Sequence, residues 1–355
     1  MEIHGNELNV KYMTGEQLQH PEPAPWLVHS RLKPGAVTLT AGADPQVNSI
    51  YAILESVALA SGKLGIPGFT EAPVSVLFIS GVWSDTELSA RVLAAADLNK
   101  LVPADLNLLK LSSVAGDKLP LVYDNAHNAA DINAAAVDTL TNLVTETSAQ
   151  VVVLDCFLSF HLSRETDSRG MQMVINVLKR IAARTSCAIS VFHTSASKTR
   201  TRFKCSGLPR GTAQMYFGPD IVGLVKLLGR KRCQYARLTT IRSGEYPVPA
   251  DGRTFRMHSV STPGSDTVCA MSYSSDQSLT PAAIVLSELI APLSIGEHET
   301  VNKLAVGIAD HKKTSKSSTH YRRIMPDLLA QLGLLHSYRF VDLGPKKTAV
   351  LKRVS

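Results

Sequence analysis

Between residues 36 and 258 the chain alternates short β-branched runs with segments of helical period, and this alternation restricts the fold more than any single motif. Strands are expected at 36–41, 74–80, 106–112, 151–155 and 187–192, with helices near 49–62, 84–97, 130–147 and 168–185. A strand followed by a helix and then another strand must cross over, which makes a sheet mostly parallel and covers both of its faces. Two further apolar runs, 221–228 and 235–242, flank the basic turn Gly229-Arg230-Lys231-Arg232 and read as an antiparallel hairpin added at the sheet edge. Residues 1–35 form a polar lead-in with Pro21, Pro23 and Pro25, and residues 259–281, rich in Ser and Thr, read as a linker.

Where the first strand meets the first helix stands Ala41-Gly42-Ala43-Asp44-Pro45-Gln46-Val47-Asn48-Ser49. A phosphate-binding loop of the pattern G-x-x-x-x-G-K-[ST] occupies that place in nucleotide-binding folds. Its glycines let backbone amides approach the phosphates, and its lysine neutralises their charge. Gly42 and Ser49 fit the two ends, but Val47 replaces the second glycine and Asn48 the lysine. The candidate nucleotide-contacting residues are therefore Gly42, Asn48 and Ser49 in a degenerate loop.

Composition places the chain among proteins of a reducing, cytoplasmic compartment. No apolar run resembles a signal peptide or approaches the roughly 18 residues of a membrane span. The five cysteines (Cys156, Cys187, Cys205, Cys233 and Cys269) are odd in number and show no C-x-x-C spacing, which argues against a disulfide framework or a zinc site. No Ser-His-Asp triad and no paired carboxylates point to a different enzyme chemistry.

The net charge of +7 is unevenly placed. Residues 301–355 hold eleven Lys and Arg against three Asp, a local balance of +8, whereas the first 300 residues balance at −1. A basic excess confined to one region is the footprint of contact with a polyanion, or else a solvated face. The same region is built in the order of a winged helix-turn-helix domain, 282–355. One helix opens at Pro281, a second runs from Glu299 through Ile308, and a third follows Ser317 or Ser318; two strand-like runs then flank Leu343-Gly344-Pro345-Lys346-Lys347. In that geometry the third helix enters the major groove N-terminal end first. Lys312, Lys313, Lys316, Ser318, His320, Arg322 and Arg323 then face DNA, and Lys346 and Lys347 sit on phosphate. Pro326 kinks the third helix or delays its start.

Residues 26–246 resemble the RepA-like family of hexameric helicases, which have a RecA-type ATPase fold. The resemblance is carried by Pro25-Trp26-Leu27-Val28 with Leu32-Lys33-Pro34-Gly35, by Val76–Gly81 followed by Glu87-Leu88 and Arg91, and by Val151-Val152-Val153-Leu154-Asp155 with Leu158-Ser159-Phe160. It extends through Ile189–His193, Lys198 and Pro209-Arg210-Gly211-Thr212-Ala213. It implies an α/β fold with a RecA-like, mostly parallel sheet and flanking helices over 36–258. It also implies a homo-oligomer, ring or dimer, acting with DNA and replication proteins of a plasmid, phage or other mobile element. ATP and Mg²⁺ are the cofactors of the family.

The departures from the family pattern are several. Besides Asn48 and Val47, Val82 and Trp83 stand where the resemblance implies an acidic pair whose glutamate activates water, and Thr194 stands at a second sensor histidine. Phosphoryl transfer depends on neutralised charge and an oriented water, so no catalytic residue is expected to act. Asp155, His193 and Arg210 are vestigial. Asp155 either holds Mg²⁺ through Ser49 or caps a turn; His193 either senses a γ-phosphate or is structural. Arg210 either reaches a neighbouring subunit or makes an ordinary ion pair. Arg230, Lys231, Arg232 and Arg237 either line a DNA path or belong to a solvated turn, and Trp83 fills the vacated pocket. The expectation is a DNA-binding protein with a catalytically silent core and no bound cofactor. The rival expectations are an active or conditional ATPase or helicase that borrows Lys198 or a neighbour's Arg210, and a winged-helix transcriptional regulator.

Overall fold

The computed structural model describes residues 26–125, 129–194, 212–228, 235–242, 253–260, 268–273, 298–309, 338–343 and 348–353, with single helical positions at 286, 289, 290, 321, 325, 328 and 329. The core opens with β1 (Val37–Gly42), α1 (Pro45–Ser61), β2 (Val76–Ser80), α2 (Asp85–Leu98) and β3 (Leu109–Ser113). A two-stranded excursion, β4 (Val122–Asp124) and β5 (Ala130–Ile132), precedes α3 (Ala134–Glu146). Then come β6 (Val151–Asp155), α4 (Ser168–Thr185), β7 (Ala188–Thr194), α5 (Gln214–Phe217), β8 (Ile221–Leu228), β9 (Tyr235–Arg242), β10 (Arg253–Val260) and β11 (Val268–Tyr273).

Nine of these strands form one sheet in the order β11-β10-β9-β8-β1-β7-β6-β2-β3. From β8 to β3 every pairing is parallel, and from β8 outward to β11 every pairing is antiparallel. The α/β fold expected from the alternation is thus present: a mostly parallel RecA-like sheet with helices on both faces. Successive side chains of a strand point to opposite faces, and here both faces are covered. Val76, Phe78, Val151 and Val153 join the core under α1 and α2. Leu77, Ile79, Val152 and Leu154 join the core under α3 and α4. Burial on both sides is why these strands read as unbroken apolar runs.

α1 carries apolar residues all round and is buried along nearly its whole length, from Val47 to Ser61. It packs between the sheet, α2 and β11. Its single charged residue, Glu55, is fully buried against Arg31, which comes from the segment entering β1. Arg31 also donates to Glu55 Oε2 at 3.1 Å and to Thr40 Oγ1 at 2.7 Å, while Ser190 and Tyr51 donate to the same carboxylate at 2.9 and 3.1 Å. A Cβ on Gly223 would stand 2.8 Å from Arg31 Nη1, so glycine makes room for the guanidinium. α4, by contrast, is amphipathic. It buries Met171, Val174, Ile175, Leu178, Ile181 and Ala182 on one stripe, and Asp167 caps its start by accepting from Arg169 and Gly170 amides.

Four expectations need correction. The segment read as a linker, 259–281, contains the end of β10 and all of β11, which pairs with β10 along its length. Ala270 and Met271 supply its buried residues, and the Asn99 side chain at the end of α2 donates to the Met271 carbonyl at 3.1 Å. Ser and Thr are compatible with an edge strand, so composition alone misread it. The 221–228/235–242 hairpin is present but does not end the sheet, because β10 and β11 extend it. Helix 130–147 begins only at Ala134, after Asn133 accepts from the Ala136 amide, because 130–132 pairs with β4. Nearer the C-terminus, Glu299 belongs to a strand, β12 (His298–Thr300), which immediately precedes α6 (Val301–Ala309). β12 joins β13 (Tyr338–Leu343) and β14 (Thr348–Arg353) in a separate antiparallel sheet ordered β12-β14-β13. Leu286, Ile290, Leu304, Ile308, Tyr321, Met325, Leu328 and Leu329 are buried helical residues of this region. Among the described residues no helix is long and apolar enough to cross a membrane.

Candidate functional site

The strand order sends the chain from β1 past β7 and β6 to β2, so a crevice opens at the carboxyl ends of β1, β6 and β7. Open α/β sheets bind ligands at such switch points. A cavity of about 460 Å³ lies there, lined by Asp44, Pro45, Gln46, Asn48, Ser49, Val82, Trp83, Asp155, Cys156, Leu158, Phe192, His193 and Thr194. The structure therefore brings together Asn48, Ser49, Asp155 and His193, with Gly42 beneath them. Arg210, Lys198, Arg230, Lys231, Arg232, Lys312, Lys313, Lys316, Ser318, His320, Arg322, Arg323, Lys346 and Lys347 lie outside the described residues.

The loop from β1 to α1 is held by its own side chains. Asp44 is the N-cap of α1, and its Oδ1 accepts from the amides of Gln46 at 3.0 Å and Val47 at 3.3 Å. Pro45 takes the first helical position, where a missing N–H costs nothing. Asn48 is buried and donates through Nδ2 to the His193 carbonyl at 2.8 Å and to the Gly42 carbonyl at 3.3 Å. It ties the loop to the end of β7. A Cβ on Gly42 would stand 2.0 Å from Asn48 Oδ1, so this tie requires glycine at that position.

Ser49 donates to Asp155 Oδ1 at 2.9 Å. Asp155 is 1% exposed, and its Oδ2 has no hydrogen-bond partner. Burial pushes this carboxyl up to about 7, although the Ser49 hydroxyl favours the ionised form. His193 places Nε2 at 3.3 Å from Glu165 Oε1 and its ring edge-on to Phe157 at 5.4 Å. Thr194, next along β7, buries a hydroxyl without a partner.

The segment after β2 forms the opposite wall. Ser80 Oγ accepts from the amides of Val82 at 3.2 Å and Trp83 at 2.9 Å, and Ser113 donates to the Trp83 carbonyl at 2.7 Å. The indole is 8% exposed and stacks under the Arg91 guanidinium, 4.5 Å from the ring centroid. Trp83 is thus fixed as a wall. It does not fill the pocket, because the cavity remains beside it.

The described residues of the lining do not by themselves fit a nucleoside triphosphate. Phosphates at a helix N-terminus need free amides and a cation. Here the Asp44 carboxylate already takes two of those amides, and among the described residues the lining contains no Lys or Arg. A phosphate oxygen within 4 Å of that carboxylate would meet a repulsion of about 4 kcal/mol per pair of unit charges.

The sequence reading overlooked Asp44, Glu165 and the stacking of Arg91 on Trp83. Only the first had a local signal, since Asp-Pro just before an apolar helix is an N-cap followed by proline at N1. Contacts between residues such as His193 and Glu165 arise from the fold and leave no spacing to read.

No curated protein sequence matches the chain at a significant level. The crystal structure of the RadB recombinase is similar over 63% of this chain and 88% of that chain, at 14% identity and a TM-score of 0.42. The sequence profile of the AAA domain matches residues 7–199, more than half of the chain. With its RecA-like sheet and a loop at the end of β1, the chain belongs to the AAA domain family.

Proposed function

We propose that this protein is a DNA-binding member of the family whose RecA-like core no longer hydrolyses ATP and serves for homo-oligomerisation as a ring or dimer. The observation that carries the reading is the Asp44 carboxylate on the Gln46 and Val47 amides. An internal anion stands where a phosphate would be held, and Asn48 closes the loop without any ligand. DNA contact falls to the basic region 282–355 in a winged-helix arrangement, through Lys312, Lys313, Lys316, Ser318, His320, Arg322, Arg323, Lys346 and Lys347, with Arg230, Lys231 and Arg232 as a second basic site. The balance of +8 over residues 301–355 supports this assignment. The RepA-like resemblance supports a role in replication or maintenance of a mobile element, in contact with replication proteins.

One observation favours a second reading, a conditional ATPase: the Ser49–Asp155 hydrogen bond is kept. The purified full chain separates the two. Absence of ATP turnover with and without DNA is expected; turnover that Asp155→Ala abolishes would establish the second reading. DNA affinity is expected to fall steeply with salt, because neutralised phosphates release counterions, with a log–log slope on the order of −4 or steeper. If removal of 282–355 left the affinity and its slope unchanged, the basic region would not be the DNA site.

A further inference from the structure

The cavity at the ends of β1, β6 and β7 is well formed although its described lining offers a phosphate no Lys or Arg. Its volume of about 460 Å³ lies within the range of small-molecule sites, roughly 300–1,000 Å³. Two aspartates reach it, Asp44 and Asp155, and among the described residues its lining contains His193 but no Lys or Arg. Asp155 Oδ2 is buried without a partner, and so is the Thr194 hydroxyl. Buried polar atoms are nearly always satisfied by protein, water or ligand, and in its ionised form the orphaned Asp155 oxygen asks for a donor. Val82 and Leu158 line the cavity as exposed apolar residues, 45% and 41% exposed, and Trp83 and Phe192 line it as well.

An occupant must therefore bring N–H donors and positive charge to Asp155 and present a flat apolar body to the aromatic wall. We propose that this cavity binds an organic cation of the amidinium or guanidinium class, its planar N–H fork on Asp155 and its apolar body against Trp83. A planar fork matches a carboxylate bidentately, which an ammonium does not. Ser49 leaves Asp155 Oδ2 open by engaging only Oδ1. The inference rests on the reading that nucleotide does not occupy this site. Two sources share the chemistry: a free small cation, and an arginine side chain from a second copy of the chain.

Calorimetric titration of the full chain near pH 8 with benzamidine, benzamide, benzoate and ATP–Mg²⁺ tests it. Benzamidine is expected to bind at least about tenfold more tightly than benzamide, and benzoate not at all, as a charge-assisted bidentate contact requires. Asp155→Asn should remove about tenfold or more of the benzamidine affinity and leave benzamide unchanged. Asp44→Asn should weaken it less, and circular dichroism of both variants checks that they are folded. Equal binding of benzoate and benzamidine, no binding of benzamidine, or an unaffected Asp155→Asn variant would overturn the proposal. ATP that binds and displaces benzamidine would instead overturn the silent-core reading, whereas failure of benzamidine alone leaves that reading standing. Sedimentation with and without benzamidine identifies the source, since dissociation of an oligomer marks a neighbour's arginine and no change marks a free ligand; either result requires the same cation site.

Discussion

Asp155 offers the most direct check on the electrostatics of the site. Its carboxyl, ordinarily near 3.8, is raised to about 7 by burial at the end of β6. Between those values the unfolded chain has released the proton while the folded chain still holds it. The folded state then binds more protons, so stability falls as pH rises through this window and levels off above about 7. At about 1.4 kcal/mol per pH unit, a shift of about 3 units amounts to roughly 4 kcal/mol. Asp155→Asn keeps the shape and the acceptor for Ser49 but does not titrate. Urea denaturation followed by the fluorescence of Trp26 and Trp83, repeated from about pH 4 to pH 8 on both proteins, isolates this contribution, because all other groups cancel in the difference. The variant should gain on the parent by about 4 kcal/mol across the window, most of it between pH 5 and 7. Parallel curves for the two proteins would refute the assignment of a protonated, uncompensated carboxyl at this position.

Two further perturbations probe the frame around the site. Glu55→Ala leaves the fully buried Arg31 without its carboxylate and should cost about 3–5 kcal/mol in urea denaturation, while Arg31→Met with Glu55→Met should cost much less. Gly42→Ala drives a methyl to 2.0 Å from Asn48 Oδ1 and should cost about 1–3 kcal/mol by the same assay; adding Asn48→Ala should recover part of that loss.

Much of the core was legible because its strands are buried on both faces. A run such as Val151–Asp155 has no polar alternation, and it sits between helical stretches that can only cross over. The β11 strand was not legible, since its edge position tolerates Ser and Thr and its two buried residues, Ala270 and Met271, are too few to mark a period. The Arg31–Glu55 pair was half legible. A lone glutamate in an otherwise uncharged, mostly apolar helix signals a buried partner, but the partner lies 24 residues away and is set by the loop entering β1. At the site itself, the loss of lysine at Asn48 could be read from the motif. What replaced it could not, because the Asn48 contact to the His193 carbonyl joins residues 145 positions apart.

The loop at 42–49 is where the proposed silence toward phosphate can be tested by restoring its parts. On the proposed reading two features oppose an anion there: Asp44 fills the amides, and Asn48 supplies no charge while tying the loop to β7. Each is sufficient alone, so restoring either should achieve little. Asn48→Lys supplies a cation but leaves the Asp44 carboxylate on the amides. Asp44→Gly frees the amides but removes the cap, at a cost of a few tenths of a kcal/mol, and still presents no cation. Only the combined variant has both parts of a phosphate site, so the coupling in a double-mutant cycle should be large and positive for binding of ATP or inorganic triphosphate. A gain of about tenfold or more in the double variant, against none in either single one, is the result expected from calorimetry. Additive gains would mean that the two residues act separately, and that the Asp44 cap is ordinary helix chemistry with no bearing on the ligand.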